Sequence, residues 1–410
     1  MRPMLTVSPY DMVPVKDAIE AILALASPLE SEVVDALSAE GRTLAETSRS
    51  TVAVPAGARS AVDGYAVRAA DAGERALIRH EISAGREQAV QVGLGEAVRI
   101  MTGGGLPAGA DAVVMVEDTE ERDGRLVMHR DVPAGANVHR TGQDIAERQI
   151  VLEAGTTLGA AEIGLLATVG QVRVKVYRRP RVSVLATGDE LVEPAEEPPP
   201  ACIRDSNRYA LLAAVREAGG DPAWSGVARD DEDELARHFE AALAPADVVI
   251  TSGGVSMGTR DLIKPLLERL GTVHFGRVNF KPGKPLTFAT VRDRLVFGLP
   301  GYPVSSLVTF EVFVRPALLK MQGRPRLHRP RVDVELEDEL RPDPVRPEYQ
   351  RAVVRWASGR LLARTTGAQG SSRLLSMAGA NALLEIEAGG EPLSAGRRVP
   401  ALLTAEILPE

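Results

Sequence analysis

The stretch ADVVITSGG (246–254) decides the fold. Its apolar run ends in two glycines, which is typical of a buried β-strand followed by a tight loop. Three further segments have the same form: RVSVLAT (181–187), AWSGVA (223–228) and RLVFGLP (294–300). Helical patterns alternate with them at about 206–218, 231–243, 260–270 and 304–320. Strands that alternate with helices predict a central parallel α/β domain, which we bound at 179–327.

The rest of the chain predicts three further parts, so that the fold class is multidomain α/β plus β. Helical patterns at 14–26, about 28–40 and 155–170, with a strand at 171–177, indicate a discontinuous α+β domain of residues 1–48 and 141–178. Short apolar segments and glycine turns predict a β-rich domain inserted between them at 49–140. Residues 328–410 return to short strands and predict a small C-terminal β-barrel.

Composition restricts the classes of function. The 410 residues carry a net charge of −8, which argues against nucleic acid as the main ligand. Cys202 is the single cysteine, so an intrachain disulfide and a zinc site with two thiolates are excluded. Neither an apolar run of about 18 residues nor an apolar leader core is evident. We therefore expect a cytoplasmic protein that does not contact a membrane.

Ligands of open parallel sheets bind beyond the carboxyl ends of the strands. Four loops are expected there: TGDEL (187–191), RDD (229–231), SGGVSMGTRD (252–261) and LPGYPVSS (299–306). They carry four carboxylates that a hard cation such as Mg²⁺ prefers when it bridges to phosphate: Asp189, Glu190, Asp230 and Asp261. Each carboxylate taken alone is better explained as a helix cap or a surface charge, so the metal hypothesis rests on their expected proximity to one another, to two lysines and to two glycine loops.

Two loops are candidates for binding an anion. Gly253 and Gly254 let backbone N–H groups approach a phosphate, although glycines there also serve tight turning. In the second loop Pro303 begins a helix, and Ser305 follows in its first turn, where simple capping is the alternative. Nearby, Lys281 and Lys284 stand on the stiff turn KPGKP and together are able to neutralise a phosphate or a small oxyanion.

The segment GVSMG (254–258) also fits the G-x-S-x-G hydrolase elbow, with Ser256 as nucleophile. The preceding glycines favour an open loop over that tight elbow. His274 is the only downstream histidine before the α/β domain ends, and it stands in an apparent strand. A hydrolase triad is therefore disfavoured.

Six motifs, in this order and spacing, closely resemble the molybdopterin molybdenumtransferase family, to which the gephyrin E domain is related. They are SAVDGYAVR (60–68), TGGGLPAGADAVV (102–114), ATGDEL (186–191), SGGVSMG (252–258), KPGKP (281–285) and LPGYPVS (299–305). The resemblance implies a Mg²⁺-dependent transferase that inserts molybdate into adenylylated molybdopterin and releases AMP. It also implies a homodimer, with a cleft shared between the α/β and C-terminal domains of one subunit and the inserted domain of the other. A contact with the adenylyltransferase of the same pathway is a further expectation.

The loops described above and the resemblance, carried over by position, together give three sets of candidate site residues. The catalytic set is Asp63, Asp189, Glu190, Asp261, Lys281 and Lys284. The substrate-binding set is Thr102, Gly253, Gly254, Ser256, Pro300, Gly301, Pro303, Ser305, Arg351 and Ser371. The metal ligands are Glu190, Asp230 and Asp261. Only the resemblance selects Asp63, Arg351 and Ser371.

Two positions depart from the family pattern. GEDI is present as Gly-Gln-Asp-Ile (142–145), which loses a carboxylate at Gln143. LPGNPVS is present with Tyr302 in place of the asparagine, and a phenol there is able to stack on a pterin or adenine or to narrow the pocket. The choice between molybdate and tungstate stays open, as do a scaffold of the gephyrin type and a molybdopterin adenylyltransferase.

Overall fold

The computed structural model describes residues 10–85, 89–254 and 262–409. They divide into two compact units. The large unit holds residues 10–32, 41–45 and 175–409, and the small unit holds 33–40 and 46–174, each without the gaps just given. Within the described ranges no helix has the length and apolar character needed to cross a membrane.

The helices lie mainly in the large unit. They are α1 (Val15–Leu25), α2 (Ala160–Thr168), α3 (Asn207–Glu217), α4 (Glu232–Leu243), α5 (Ile263–Leu270), α6 (Pro303–Thr309) and α7 (Arg315–Met321). One π-helical turn at Phe310–Val314 joins α6 to α7. These bounds confirm the predicted helices in the α/β region. Helix α4 is capped by Asp231, whose side chain accepts a hydrogen bond from the N–H of Glu234 at 2.9 Å.

The small unit and its junctions contain the first twelve strands. They are β1 (Ser31–Asp35), β2 (Ser48–Arg49), β3 (Arg59–Ser60), β4 (Gly64–Val67), β5 (Arg75–Ile82), β6 (Glu96–Ile100), β7 (Ala112–Met115), β8 (Thr119–Arg122), β9 (Arg125–Met128), β10 (Val138–His139), β11 (Ile150–Leu152) and β12 (Arg173–Tyr177). The predicted helix at about 28–40 is wrong, because that segment forms β1 and a 3₁₀ turn. The β-branched pair Val33-Val34 favours the extended chain there.

A mixed six-stranded sheet forms the centre of the small unit, in the order β7-β4-β6-β5-β9-β8. The inner strand β4 is buried on both faces: Tyr65 and Val67 belong to one apolar cluster, and Ala66 belongs to the other. Strands β8 and β9 form an antiparallel hairpin at one edge of this sheet. The β-rich character expected for this part of the chain is confirmed.

The large unit contains the remaining strands. They are β13 (Arg181–Thr187), β14 (Leu191–Val192), β15 (Ile203–Arg204), β16 (Asp221–Ala228), β17 (Val248–Ser252), β18 (Thr272–Phe275), β19 (Thr287–Val291), β20 (Arg294–Leu299), β21 (Arg331–Leu336), β22 (Glu348–Ala357), β23 (Arg360–Thr365), β24 (Ala382–Ile386) and β25 (Arg398–Leu403). The last five close into a barrel in the order β21-β23-β22-β24-β25, which confirms the predicted C-terminal barrel.

The central sheet has the order β16-β13-β17-β20-β19-β18. Strands β16, β13, β17 and β20 are parallel, as predicted, while β19 and β18 add an antiparallel edge. Alternate residues of β17 enter opposite cores: Val248 and Ile250 face one apolar cluster and Val249 faces the other. Helices cover both faces, so the parallel strands are buried on both sides.

Helix α1 packs on this sheet, since Ala18 and Ile22 are fully buried in the same apolar cluster as Val248. Helix α1 lies in the large unit. The boundaries of the four predicted parts remain a prediction.

A buried ion pair anchors the entry to the central sheet. Asp247 is 3% exposed, and its carboxylate accepts from the Arg178 guanidinium at 2.5 and 2.9 Å and from the N–H of Arg181 at 2.8 Å. Burial raises the pKa of Asp247, but the hydrogen bonds from Arg178 and Arg181 outweigh it and hold that pKa below its usual value.

We expect Asp247→Asn to lower the free energy of unfolding of the large unit by about 3 kcal/mol at pH 7, because it breaks a buried pair. Both tryptophans, Trp224 and Trp356, lie in this unit, so urea unfolding followed by tryptophan fluorescence measures it. The lowered pKa means that the carboxylate stabilises the fold above about pH 4. The deficit of the variant should thus be constant from pH 8 to about 5 and shrink below about 4.

The control is Asp221→Asn. Asp221 is exposed and lies 3.6 Å from Arg179, so a loss below about 0.5 kcal/mol is expected. Equal stability of Asp247→Asn and the wild type would contradict the anchoring role.

Candidate functional site

A cavity of about 710 Å³ opens at the carboxyl ends of β13, β16, β17 and β20. Segments that follow these four strands line it, together with residues 203–207 and Pro285 of the α/β region and Ser372 and Leu374 of the C-terminal region. Seven predicted site residues line it: Glu190, Asp230, Gly253, Gly254, Pro300, Gly301 and Pro303. The edge that strand order predicted is therefore the edge that carries the cavity.

The glycine loop after β17 requires glycine at both positions. Gly253 and Gly254 have φ values of +95° and +62°, and a Cβ atom at residue 253 would lie 2.5 Å from the carbonyl oxygen of Thr187. The N–H of Gly253 donates to the carbonyl of Leu299 at 3.2 Å, so it is used within the protein. The loop thus packs closely against the end of β13, and both glycines line the cavity.

The loop after β20 is held from within. The hydroxyl of Ser306 donates to the carbonyl of Pro300, and the N–H of Ser306 donates to the carbonyl of Tyr302 at 2.9 Å. The N–H of Val304 donates to the carbonyl of Ser371 at 3.1 Å, which ties the start of α6 to the C-terminal region. Ser305 is 4% exposed and lies in the first turn of α6, as predicted.

Asn207 is a residue that sequence reasoning missed. Its side-chain amide donates to the hydroxyl of Ser252 at 2.8 Å and to the carbonyl of Gly301 at 2.7 Å, so it connects both predicted anion loops. Ser252 in turn lies 3.5 Å from the hydroxyl of Ser306. In the sequence Asn207 reads only as the start of a helix, and no local signal shows that its side chain reaches two loops.

The carboxylates lie on the loops after β13 and β16. Glu190 and Asp230 both line the cavity, and the N–H of Asp230 donates to Asp189 at 3.1 Å. Asp205 also lines the cavity and was not predicted, because its carboxylate is buried and paired with Arg208 at 2.7 Å. Asp261 and Ser256 lie outside the described residues, so the predicted third metal ligand and the hydrolase reading stay predictions.

The two lysines of the KPGKP turn differ in their surroundings. The ammonium of Lys281 lies 3.2 Å from Asp343 and 3.1 Å from Glu348, so two carboxylates neutralise it. Hydrogen bonds from the N–H groups of Val345 and Arg346, together with Lys281, lower the pKa of Asp343 to about 2. Lys284 is half-buried, and none of the ion pairs in the described chain includes it.

Arg351 is a buried cation with an unused donor. It is fully buried in β22, where Nε donates to Ser376 at 3.1 Å and Nη2 donates to the carbonyl of Gly370 at 3.3 Å. Nη1 finds no hydrogen-bond acceptor among the described residues. Burial lowers the pKa of Arg351 to about 10, so the guanidinium stays charged at neutral pH. A buried donor of this kind suits an anion.

Asp63 and Thr102 form a contact within the small unit. One carboxylate oxygen of Asp63 accepts from the N–H of Thr102 at 2.7 Å and from its hydroxyl at 2.8 Å. These bonds hold the pKa of Asp63 below its usual value, so this exposed side chain is ionised at neutral pH. Gln143, which replaces a family carboxylate, accepts from the N–H of Arg140 at 2.9 Å and closes its own turn.

No group of three metal-ligating side chains is present in the described ranges. His274 lies in β18, where its ring nitrogen is 3.0 Å from the hydroxyl of Thr290 and burial lowers its pKa. These contacts agree with a structural histidine.

Three family models match the chain in order. They are the MoeA N-terminal region (domain I and II) over residues 13–170, the probable molybdopterin binding domain over 183–320, and the MoeA C-terminal region (domain IV) over 333–404.

Named relatives match over nearly the whole chain. Molybdopterin molybdenumtransferases of Nostoc sp. and Bacillus subtilis are 37% and 36% identical, each over 96% of this chain and 94% of the relative. A gephyrin of Dictyostelium discoideum is 36% identical over 98% of this chain, which spans 63% of that longer protein. The crystal structure of a molybdopterin biosynthesis MoeA protein from Pyrococcus horikoshii superposes with a TM-score of 0.84 at 34% identity, covering 97% of this chain and 100% of that one. The chain therefore belongs to the molybdopterin molybdenumtransferase (MoeA) family.

Proposed function

We propose that this protein is a molybdopterin molybdenumtransferase, which takes adenylylated molybdopterin and molybdate and releases AMP and molybdenum cofactor. In the proposed step an oxygen of water or of molybdate attacks phosphorus, the phosphoanhydride bond breaks and AMP leaves. The two dithiolene sulfurs bind molybdenum, and one molybdate oxygen leaves as water with the two thiol protons. The observation that carries the proposal is one cavity that Glu190 and Asp230 line together with the loops after β17 and β20, with a buried arginine hydrogen-bonded to the adjoining C-terminal segment.

Two cations with no carboxylate partner among the described residues, Arg351 and Lys284, support the proposal that the site binds an oxyanion. Arg351 has a free buried donor, and its Nη2 bonds Gly370, the residue before Ser371. The carbonyl of Ser371 accepts from Val304, one residue after Pro303 of the cavity wall. Lys284 adjoins Pro285, which also lines the cavity. We infer that Arg351, Lys284 and the Ser371 segment bind the tetrahedral oxyanion, molybdate or tungstate.

The carboxylate side of the site suits Mg²⁺. Glu190 and Asp230 line the same cavity, and Mg²⁺ is commonly held by one or two carboxylates together with substrate phosphates. Glu190 and Asp230 would hold the ion, with Asp261 as the third predicted ligand, and the ion would neutralise charge on the diphosphate. The loops that contain Gly253, Gly254 and Gly301 line the cavity and would accommodate the phosphates.

The homodimer, and a role for Asp63 and Thr102 in a shared cleft, remain predictions from the family resemblance. The same holds for the cytoplasmic location and for contact with the adenylyltransferase of the pathway.

The deciding experiment incubates the purified protein with adenylylated molybdopterin, Mg²⁺ and molybdate and measures AMP by chromatography. We expect AMP release that requires molybdate. Two results would contradict the proposal: formation of the adenylylated intermediate from ATP and molybdopterin, which marks an adenylyltransferase, or neither reaction, which marks a scaffold.

The two lysines provide a second test. We expect Lys284→Met to raise the half-saturating molybdate concentration at least about tenfold, because one charge-assisted contact contributes about 1.5–3 kcal/mol. Lys281→Met is the matched control, since Lys281 already pairs with Asp343 and Glu348, and its shift should stay below about threefold. Steady-state AMP release at varied molybdate measures both. Equal shifts would contradict the assignment of the free charge to Lys284.

A third test concerns the metal. Glu190→Gln removes a cavity carboxylate charge without changing its size, so the Mg²⁺ concentration for half-maximal AMP release should rise about tenfold. Glu196→Gln, an exposed residue outside the cavity wall, is the control and should leave the Mg²⁺ dependence unchanged. A wild-type Mg²⁺ dependence in Glu190→Gln would place the ion elsewhere.

A further inference from the structure

Tyr302 stands at the cavity on a fixed backbone. The carbonyl of Gly301 before it accepts from Asn207 at 2.7 Å, and its own carbonyl accepts from the N–H of Ser306 at 2.9 Å. Pro303 follows directly and begins α6, which restricts the conformation of residue 302 further. The side chain therefore leaves the backbone from a position that several contacts determine.

The side chain of Tyr302 forms neither a hydrogen bond nor an aromatic contact with the described residues. It is 61% exposed although it lines the cavity, its hydroxyl forms no hydrogen bond within the described chain, and its ring joins none of the aromatic pairs found there. Ile203 is the other large apolar side chain that both lines the cavity and is more than half exposed, at 57%. The cavity thus has a polar floor of loops and carboxylates and, at Tyr302 and Ile203, an apolar, solvent-facing part.

We propose that the phenol ring of Tyr302 is a ring-binding subsite, on which a fused nitrogen heteroaromatic ring of the substrate stacks. The inference rests on the proposed function, whose substrate carries two such rings, adenine and pterin. A phosphate in the cavity tethers its ring within a few ångströms, and a rigid aromatic face binds a flat ring with little loss of side-chain entropy. Tyr302 would then add affinity and select for substrates with a ring over bare phosphates.

The probes are AMP, ribose 5-phosphate, which lacks the base, and 6-hydroxymethylpterin. Calorimetric titrations use the full-length wild type, Tyr302→Phe and Tyr302→Ala. Stacking of a base on an aromatic side chain is worth about tenfold in affinity, so Tyr302→Ala should bind one ring-bearing probe about tenfold more weakly. Tyr302→Phe should stay within about twofold of the wild type, and ribose 5-phosphate should bind all three proteins equally.

The two rings are separated by the probes. A loss confined to AMP supports the subsite and assigns it to adenine, and a loss confined to 6-hydroxymethylpterin supports it and assigns it to pterin. Unchanged binding of both rings by Tyr302→Ala overturns the proposal, as does an equal loss for ribose 5-phosphate.

Two controls keep the result interpretable. Trp356→Ala removes another half-exposed aromatic residue of the large unit, outside the cavity wall, and should change none of the affinities. Thermal unfolding of Tyr302→Ala should match the wild type because the ring is exposed. Failure of the proposed function is separately visible as a wild type that releases no molybdate-dependent AMP, whatever the ring probes show.

Discussion

The close approach of Gly253 to the end of β13 is the constraint on which the site depends. A side chain at this position would lie 2.5 Å from the carbonyl of Thr187, so only glycine lets the two strand ends meet. The same residue donates its N–H to Leu299, which draws in the end of β20. The loops after β13, β17 and β20 are therefore held together by backbone contacts that do not depend on any side chain of the proposed site. Asn207 then reinforces the assembly by bonding two of them.

The charged residues of the proposed site come from several regions of the large unit. Glu190 and Asp230 come from the α/β loops, whereas Arg351 comes from the barrel and Lys284 from the turn beside it. Lys281 connects these regions, because its two acidic partners lie on the barrel side. A net charge of −8 says nothing about this arrangement. The electrostatic potential that an anion experiences in the cavity depends on hydrogen-bond donors, charges and desolvation within a few ångströms, and not on the net charge of the chain.

The sequence predicts the parallel strands and their loops well, because long apolar runs ending in glycine or proline have few alternative structures. It predicts less well where distant residues decide. The segment at 28–40 has a helical pattern, yet Val33 and Val34 are extended in β1. Strand β19 (Thr287–Val291) was not predicted, and it lies antiparallel between β18 and β20.

The residues of the site are likewise predictable where a local pattern places them and unpredictable where distant partners do. Glu190 and Gly253 are predictable because they follow strands directly, and parallel strands deliver such residues to one edge. Asn207 and Asp205 owe their positions to partners far along the chain or to burial, which no local pattern reports. The pairing of Lys281 with Glu348 joins residues 67 apart in sequence, so spacing alone makes the two lysines of KPGKP look equivalent. Only the family resemblance selected Arg351 from the sequence. In the structure it is fully buried with an unused donor at Nη1, which gives a physical reason to expect it to bind an anion.

The unused donor of Arg351 also has a consequence for how this protein tolerates change. An unsatisfied buried donor costs about 1–3 kcal/mol, and more when it is charged. An apolar side chain of similar size would avoid that cost, so stability alone favours a different residue at position 351. Selection for heat resistance alone would therefore tend to remove Arg351, and a descendant that has lost it would keep the fold while losing the anion contact proposed for this residue.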